Sequence, residues 1–234
     1  ALTKEERVKV FKCAASVVRK RVPLVAGVGA HCLDDIFFYI KEAKSAGVDY
    51  ALLQPPSYFP MTDEMICGFY TSVLEKSSLP LVLYNIPIFN HKTLAPKIVK
   101  HLSKNKKVAA IKDSGGNIAY LKEIIKNCKS DSFNIIVGDE SLICKGLKYG
   151  ADGAMSSAAH IIPEVAVKCY EYAEKKNWTE AKKEQEKLLN LRDKYKLRGT
   201  LYEVISNIKN LLHKKGICRK YMAPIWERKL SCPE

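Results

Sequence analysis

The stretch Val-Ala-Ala-Ile-Lys-Asp at 108–113 decides the fold class of this 234-residue chain. Four apolar residues followed by two charged ones are typical of a strand that is covered on both faces and ends in a polar site. Similar runs recur along the chain, and amphipathic helical patterns lie between them: PLVAGV (23–28), DYALLQ (49–54), PLVLYN (80–85), NIIVGD (134–139) and GAMS (153–156). The alternation of strand and helix predicts βαβ units and a parallel sheet.

Polar residues stand at the carboxyl ends of successive predicted strands: Gln54, Tyr84, Lys112, Asp139 and Ser156. A barrel gathers all strand ends around one mouth, whereas an open sheet spreads them along a line. We therefore predict an α/β protein with the architecture of a TIM (β/α)8 barrel, of which about six strands are present. The barrel is predicted to occupy residues 1–176 and a C-terminal helical extension residues 177–234.

Composition narrows the function classes. The formal net charge is +14, which fits a basic surface, and no zinc-finger or RNA-recognition signature accompanies it, so nucleic acid is not an expected partner. No apolar run is long enough to span a membrane, and no signal peptide is evident, so no membrane partner is expected. The eight cysteines form no CxxC pair, and we predict a reduced, cytoplasmic protein.

Lys112 is the candidate catalytic residue. A lysine that directly follows an apolar strand is surrounded by apolar groups, which disfavour its charged form. A neutral amine can attack a ketone and form an iminium ion, which serves as an electron sink for carbon–carbon cleavage. Tyr84 ends the preceding strand and is expected beside Lys112, where a phenol can relay protons. A solvated strand-end lysine and a packed aromatic are the alternative interpretations of the two residues.

Several motifs together resemble the dihydrodipicolinate synthase/N-acetylneuraminate lyase family of class I aldolases. The resemblance covers residues 2–226, and the motifs are Ala26–Ala30, Pro55–Pro60, Leu83–Pro87, Ile111–Ser114, Gly138–Ser141 and Gly150–Ser156. It implies a (β/α)8 barrel, a homo-oligomer (tetramer or dimer) and a Schiff base between Lys112 and a small 2-keto acid such as pyruvate. Tyr84 would be the proton relay, and no metal or organic cofactor is implied.

The resemblance also implies a set of substrate-binding residues: Tyr58, Phe89, Gly138, Asp139, Glu140, Met155 and Ser156. Tyr58 matches a tyrosine that reaches the site of a neighbouring subunit in many members, although a loop aromatic can also pack locally. Asp139 can alternatively act as a helix cap.

Phe89 narrows the expected substrate. The dihydrodipicolinate synthases usually carry an arginine at this position, which binds a carboxylate through a two-pronged ion pair. Phenylalanine cannot form that ion pair, which disfavours dihydrodipicolinate synthesis. The pattern of Ile86–Phe89 together with Lys112–Ser114 resembles the 2-keto-3-deoxygluconate aldolases. We predict cleavage of a 2-keto-3-deoxy sugar acid to pyruvate and an aldehyde. An N-acetylneuraminate lyase activity and a dihydrodipicolinate synthase-type activity are the alternatives.

The sequence lacks two features of the family. Members normally begin two strands earlier, and the loop after the second strand holds the carboxylate of the keto acid. Without those strands an eight-stranded barrel keeps two unpaired edges. We expect a truncated enzyme sequence, with a short form completed by partner subunits as an alternative. The alternative from another class is an inactive barrel that acts as a binding or assembly module.

Overall fold

A computed structural model of the chain describes residues 2–220. The chain divides into two compact units, one of residues 4–155 and one formed mainly by the residues from 156 onward. The predicted boundary at residue 176 and the helical extension remain predictions. Residues 221–234 of that extension, which include Cys232, lie outside the described part of the chain.

The first unit is built on a curled sheet of parallel strands, each hydrogen-bonded to the next along the chain. The strands are β1 (Val25–Gly27), β2 (Tyr50–Leu53), β3 (Leu81–Asn85), β4 (Val108–Asp113), β5 (Asn134–Val137) and β6 (Gly153–Ala154). Each lies within one of the predicted apolar runs. The sheet with its helices matches the predicted fold class, a TIM barrel shortened to six strands.

Helices follow or precede every strand of the sheet, as the sequence pattern predicts. They are α1 (Lys4–Val18), α2 (Leu33–Ala46), α3 (Asp63–Lys76), α4 (Pro87–Asn90), α5 (Pro96–Leu102), α6 (Ile118–Cys128) and α7 (Ile143–Tyr149). A 3₁₀ turn, Glu140–Leu142, precedes α7. The short helix α4 was not predicted. It lies in the loop after β3, where Pro87 at its first turn fits the fixed backbone angle of proline.

The two faces of the sheet have different surroundings. On the outer face, side chains such as Leu53, Leu83 and Ile111 are fully buried beneath the helices. The inner face carries a cavity of about 330 Å³. Its lining includes side chains of five strands: Val25, Tyr50, Val82, Ala110 and Ile136. Successive strand residues point to opposite faces, so the lining shows which residues face inward.

The second unit consists of a 3₁₀ turn, Ala158–His160, followed by α8 (Pro163–Glu174), α9 (Trp178–Lys194) and α10 (Leu201–Lys214). Helices α8 and α9 pack closely, and the buried Cys169 thiol donates to the Ala181 carbonyl oxygen at 3.4 Å. Thr200 and Glu203 form a capping box at the start of α10. Among the described residues, no helix is long and apolar enough to cross a membrane. The cytoplasmic location stays a prediction.

Gly146 in α7 shows how tightly a helix packs against the sheet. A β-carbon built there would lie 2.5 Å from Val137 Cγ2 and 3.1 Å from Leu121 Cδ2. We expect Gly146→Ala to lower the free energy of unfolding by about 1–3 kcal/mol, because the methyl group overpacks the contact with β5. Urea denaturation measures this change.

The matched control is Gly68→Ala in α3, where a β-carbon has no neighbour within 4 Å. Alanine is the better helix former, so this variant should gain up to about 1 kcal/mol. Equal effects of the two substitutions would contradict the packing of α7 on the sheet.

Candidate functional site

Tyr84 and Lys112 lie side by side at the carboxyl ends of adjacent parallel strands. The register of β3 and β4 pairs the two residues directly. Lys112 Nζ donates a hydrogen bond to Tyr84 Oη at 3.2 Å, and it lies 4.5 Å from the centroid of the phenol ring. Both side chains are half-buried. The structure thus brings the two predicted catalytic residues together, and a substrate carbonyl at Lys112 would have a phenol in reach.

The next residue of each strand forms a second pair. Asn85 Nδ2 donates to Asp113 Oδ1 at 2.7 Å, and both side chains are buried. Asp113 Oδ1 also accepts from the backbone N–H of Gly115 at 3.1 Å, and Asn85 Oδ1 accepts from that of Leu94 at 3.0 Å. This pair ties together the strand ends and the loops that follow them. It therefore fixes the geometry of Tyr84 and Lys112.

The Asp113 carboxyl lies in a site that disfavours its charge. Burial raises its pKa, although the hydrogen bonds from Asn85 and Gly115 act in the opposite direction, and the nearby Asp139 carboxylate raises it further. The Tyr120 hydroxyl is buried and has no hydrogen-bond partner in the described chain, and burial followed by the Asp113 charge raises its pKa. The site is thus a polar network within an apolar surrounding.

Gly138 and Asp139 follow β5 at the same end of the sheet. The N–H of Gly138 donates to the Asp113 carbonyl oxygen at 2.6 Å, and a β-carbon at Gly138 would clash with the Ser114 hydroxyl. Asp139 caps the 3₁₀ turn, because its Oδ1 accepts from the N–H of Ser141 at 2.8 Å and from its hydroxyl at 2.6 Å. Asp139 therefore acts as a helix cap, which was the alternative interpretation of this residue. One carboxylate oxygen of Asp139, Oδ2, is not used by the cap.

The other predicted substrate-binding residues occupy different settings. Tyr58 is 78% exposed in the loop after β2, where its ring contacts Phe59 edge-on at 4.7 Å, and Phe89 in α4 is 45% exposed. Glu140 is buried at the start of the 3₁₀ turn. Met155 N donates to the Val137 carbonyl oxygen at 2.8 Å, so Met155 stays at the end of β6. Ser156 directly follows Met155 and belongs to the second unit.

The lining of the inner cavity includes neither Tyr84 nor Lys112, and on β2, β3 and β4 it lies toward the amino-terminal ends of the strands. Tyr84 and Lys112 lie nearer the carboxyl ends of β3 and β4, the end at which barrel enzymes carry their active sites. Within residues 2–220, no group of three or more histidine, cysteine or acidic side chains is placed to hold a metal ion.

The Asn85–Asp113 pair was missed in the sequence, although a signal was available. Both residues directly follow a predicted catalytic residue, so the alternation of side chains places both on the covered outer face. A carboxylate and an amide at such positions require partners, since unpaired polar groups are costly to bury. The sequence could therefore have predicted that Asn85 and Asp113 are hydrogen-bond partners.

Asp113 gives a pH-dependent prediction. Its folded pKa is raised, so the folded state binds the proton more tightly than the unfolded chain does. The stability contributed by Asp113 therefore falls as the pH rises from the ordinary value of 3.8 through the folded value. Asp113→Asn retains the Oδ1 acceptor without the charge, so its stability relative to the parent should rise over that window.

Chemical denaturation of both proteins from pH 4 to pH 8 tests this expectation. Asp113→Ala is the contrasting variant, because it leaves the donors of Asn85 and Gly115 unpaired and should cost about 1–3 kcal/mol relative to asparagine. A stability difference between parent and asparagine variant that does not change with pH would refute the assignment.

The comparisons with known proteins agree with the architecture. The model of the dihydrodipicolinate synthetase family matches residues 1–231. The 4-hydroxy-tetrahydrodipicolinate synthase of Thermodesulfovibrio yellowstonii is 32% identical over 184 residues, which are 79% of this chain and 63% of that protein. The chain therefore spans less than two thirds of this relative. The relative is named a synthase and not a 2-keto-3-deoxygluconate aldolase, so the narrower prediction from the sequence remains a proposal.

Solved structures show the same fold. The dihydrodipicolinate synthase of Bacteroides thetaiotaomicron superimposes with a TM-score of 0.89 at 25% identity, over 95% of this chain and 76% of that one. The enzyme of Acinetobacter baumannii, solved in complex with pyruvate, gives 0.87 at 28% identity, over 96% and 76% of the two chains. With the family match over nearly its whole length and the shared barrel strands, this chain belongs to the dihydrodipicolinate synthetase family.

Proposed function

We propose that this protein is a carbon–carbon lyase that forms a Schiff base at Lys112 and cleaves a 2-keto-3-deoxy sugar acid. The observation that supports it most is the hydrogen bond of 3.2 Å between Lys112 Nζ and Tyr84 Oη. This contact supports the proposal, because an amine nucleophile and a proton relay at that separation can act on one substrate carbonyl. The complex of the Acinetobacter baumannii relative with pyruvate supports a 2-keto acid as the ligand.

In the proposed reaction, Lys112 and Tyr84 act one after the other. The neutral Lys112 amine attacks C2 of the keto acid, and the carbinolamine loses water to give an iminium ion. Tyr84 donates its phenol proton to the departing hydroxyl. The resulting phenolate then accepts the proton of the C4 hydroxyl as the C3–C4 bond breaks. The electron pair of that bond moves into an enamine and an aldehyde leaves. Protonation at C3 and hydrolysis release pyruvate and regenerate Lys112.

The proposal also assigns substrate binding to residues that follow β2, β3, β5 and β6 along the chain: Tyr58, Phe89, Gly138, Asp139, Glu140, Met155 and Ser156. Phe89 supports a neutral tail, because its side chain cannot pair with a carboxylate. The unused Oδ2 of Asp139 supports a hydroxylated tail, since a carboxylate oxygen accepts hydrogen bonds from hydroxyl groups.

Synthesis of 4-hydroxy-tetrahydrodipicolinate is the second candidate, and the name of the relative from Thermodesulfovibrio yellowstonii favours it. An N-acetylneuraminate lyase activity rests on the resemblance alone. The non-catalytic alternative, a binding or assembly module, predicts that no Schiff base forms at Lys112.

We also propose a homo-oligomer, a tetramer or a dimer. It is supported by exposed apolar side chains in two loops at the carboxyl ends of the strands: Tyr58, Phe59, Ile88 and Phe89. Exposed aromatic clusters of this kind often mark contact surfaces.

Reductive trapping tests the proposed Schiff base. Incubation with pyruvate and borohydride should label Lys112 covalently, and peptide mapping by mass spectrometry should locate the adduct there. Lys112→Ala should abolish the label, whereas the exposed control Lys126→Ala should retain it. Tyr84→Phe should slow labelling by about 10²-fold, the usual contribution of a positioned proton relay. A folded protein that takes up no label would support the binding-module alternative instead.

Phe89→Arg tests the substrate class. Arginine can supply the two-pronged ion pair that phenylalanine lacks, and a charge-assisted pair contributes about 1.5–3 kcal/mol. We expect the variant to use an aldehyde that bears a carboxylate about tenfold better relative to glyceraldehyde, in condensation with pyruvate. Phe89→Leu serves as the uncharged control. If the unmodified protein already prefers the carboxylate-bearing aldehyde, the synthase activity replaces the sugar-acid activity.

A further inference from the structure

Gln54 lies in the same row of residues as the catalytic pair. It directly follows β2, and the register pairs the preceding residue, Leu53, with Leu83 of β3. One position further, Gln54 stands beside Tyr84, which is itself paired with Lys112. Tyr50 of β2 lines the inner cavity, so Gln54, four residues later, belongs to the same inner face.

The amide of Gln54 is unengaged. The side chain is half-buried, and within residues 2–220 it makes no side-chain hydrogen bond, unlike the neighbouring amides. Asn85 donates to Asp113, and Asn90 donates to the Pro55 carbonyl oxygen. A half-buried amide with two donors and an acceptor left free is suited to a ligand that can exchange hydrogen bonds with it.

Gly29, two residues after the end of β1, makes room for this amide. A β-carbon at Gly29 would clash with the terminal atoms of the Gln54 side chain, which therefore lies directly over the glycine. Arg7 also approaches Gly29, but its guanidinium is held by the carbonyl oxygens of Gly27 and Gly29 and lies 4.2 Å from the centroid of the Tyr39 ring. The side chain that follows β2 on the inner face is therefore the neutral amide of Gln54.

We propose that Gln54 determines substrate specificity by binding a hydroxyl group on the aldehyde-derived end of the substrate. Two strand spacings, about 10 Å, separate the backbones at Gln54 and Lys112. In this binding mode, the tail of a keto acid bound at Lys112 extends past Tyr84 and the end of β2 to the Gln54 amide, which lies over Gly29. A neutral amide both donates to and accepts from a hydroxyl group, which favours polyhydroxylated tails over hydrocarbon ones. This inference rests on the proposed function.

The experiment compares two aldehydes of equal carbon number in condensation with pyruvate, glyceraldehyde and propanal. In Gln54→Leu, which is similar in size but apolar, the ratio of kcat/KM for glyceraldehyde to that for propanal should fall about tenfold. Gly29→Ala should lower the same ratio, since its methyl group displaces the Gln54 amide. Ser57→Ala, an exposed substitution in the following loop, should leave the ratio unchanged.

Two outcomes of the aldehyde comparison overturn the inference, and in both of them the ratio for Gln54→Leu stays unchanged. If neither kcat/KM value falls, the amide binds no hydroxyl group. If both values fall equally, Gln54 supports the site but does not distinguish the two tails. Borohydride trapping of pyruvate, which has no tail, separates the two proposals. A wild-type protein without label overturns the proposed function together with this inference, whereas a labelled protein with an unchanged ratio overturns the inference alone.

Discussion

The parallel pairing of β3 with β4 is the constraint on which the rest of the site depends. It places Tyr84 opposite Lys112 and Asn85 opposite Asp113. Since side chains alternate along a strand, one pair meets on the inner face and the other on the buried outer face. A slip of one residue in the pairing would break both contacts at once.

The pair of Asn85 and Asp113 is the part of this arrangement that costs free energy, because it buries a carboxyl group. A carboxylate that is 2% exposed is tolerated because an amide side chain and a backbone N–H point at one of its oxygens. Those same bonds reach into the loop after β3 and the turn after β4. The residues that anchor these loops therefore also align Tyr84 with Lys112, the proposed catalytic residues.

A side chain of α1 also holds the end of β1. Arg7 donates to the carbonyl oxygens of Gly27, the last residue of β1, and of Gly29, two residues later. The Arg7 guanidinium also lies 4.2 Å from the centroid of the Tyr39 ring in α2. One side chain therefore joins α1, α2 and the end of β1.

The sequence by itself determined the strands, most helices and the pairing of Tyr84 with Lys112. Apolar runs and capping residues act over a few positions, and adjacent parallel strands follow from the chain order. Helix α4 after β3, the contact of Asn85 with Asp113 and the position of the Gln54 amide over Gly29 were decided by the tertiary structure alone. These features depend on where separate strands and loops meet in space. No local pattern encodes that meeting, because each partner satisfies its hydrogen bonds or finds its room only when the other is in place.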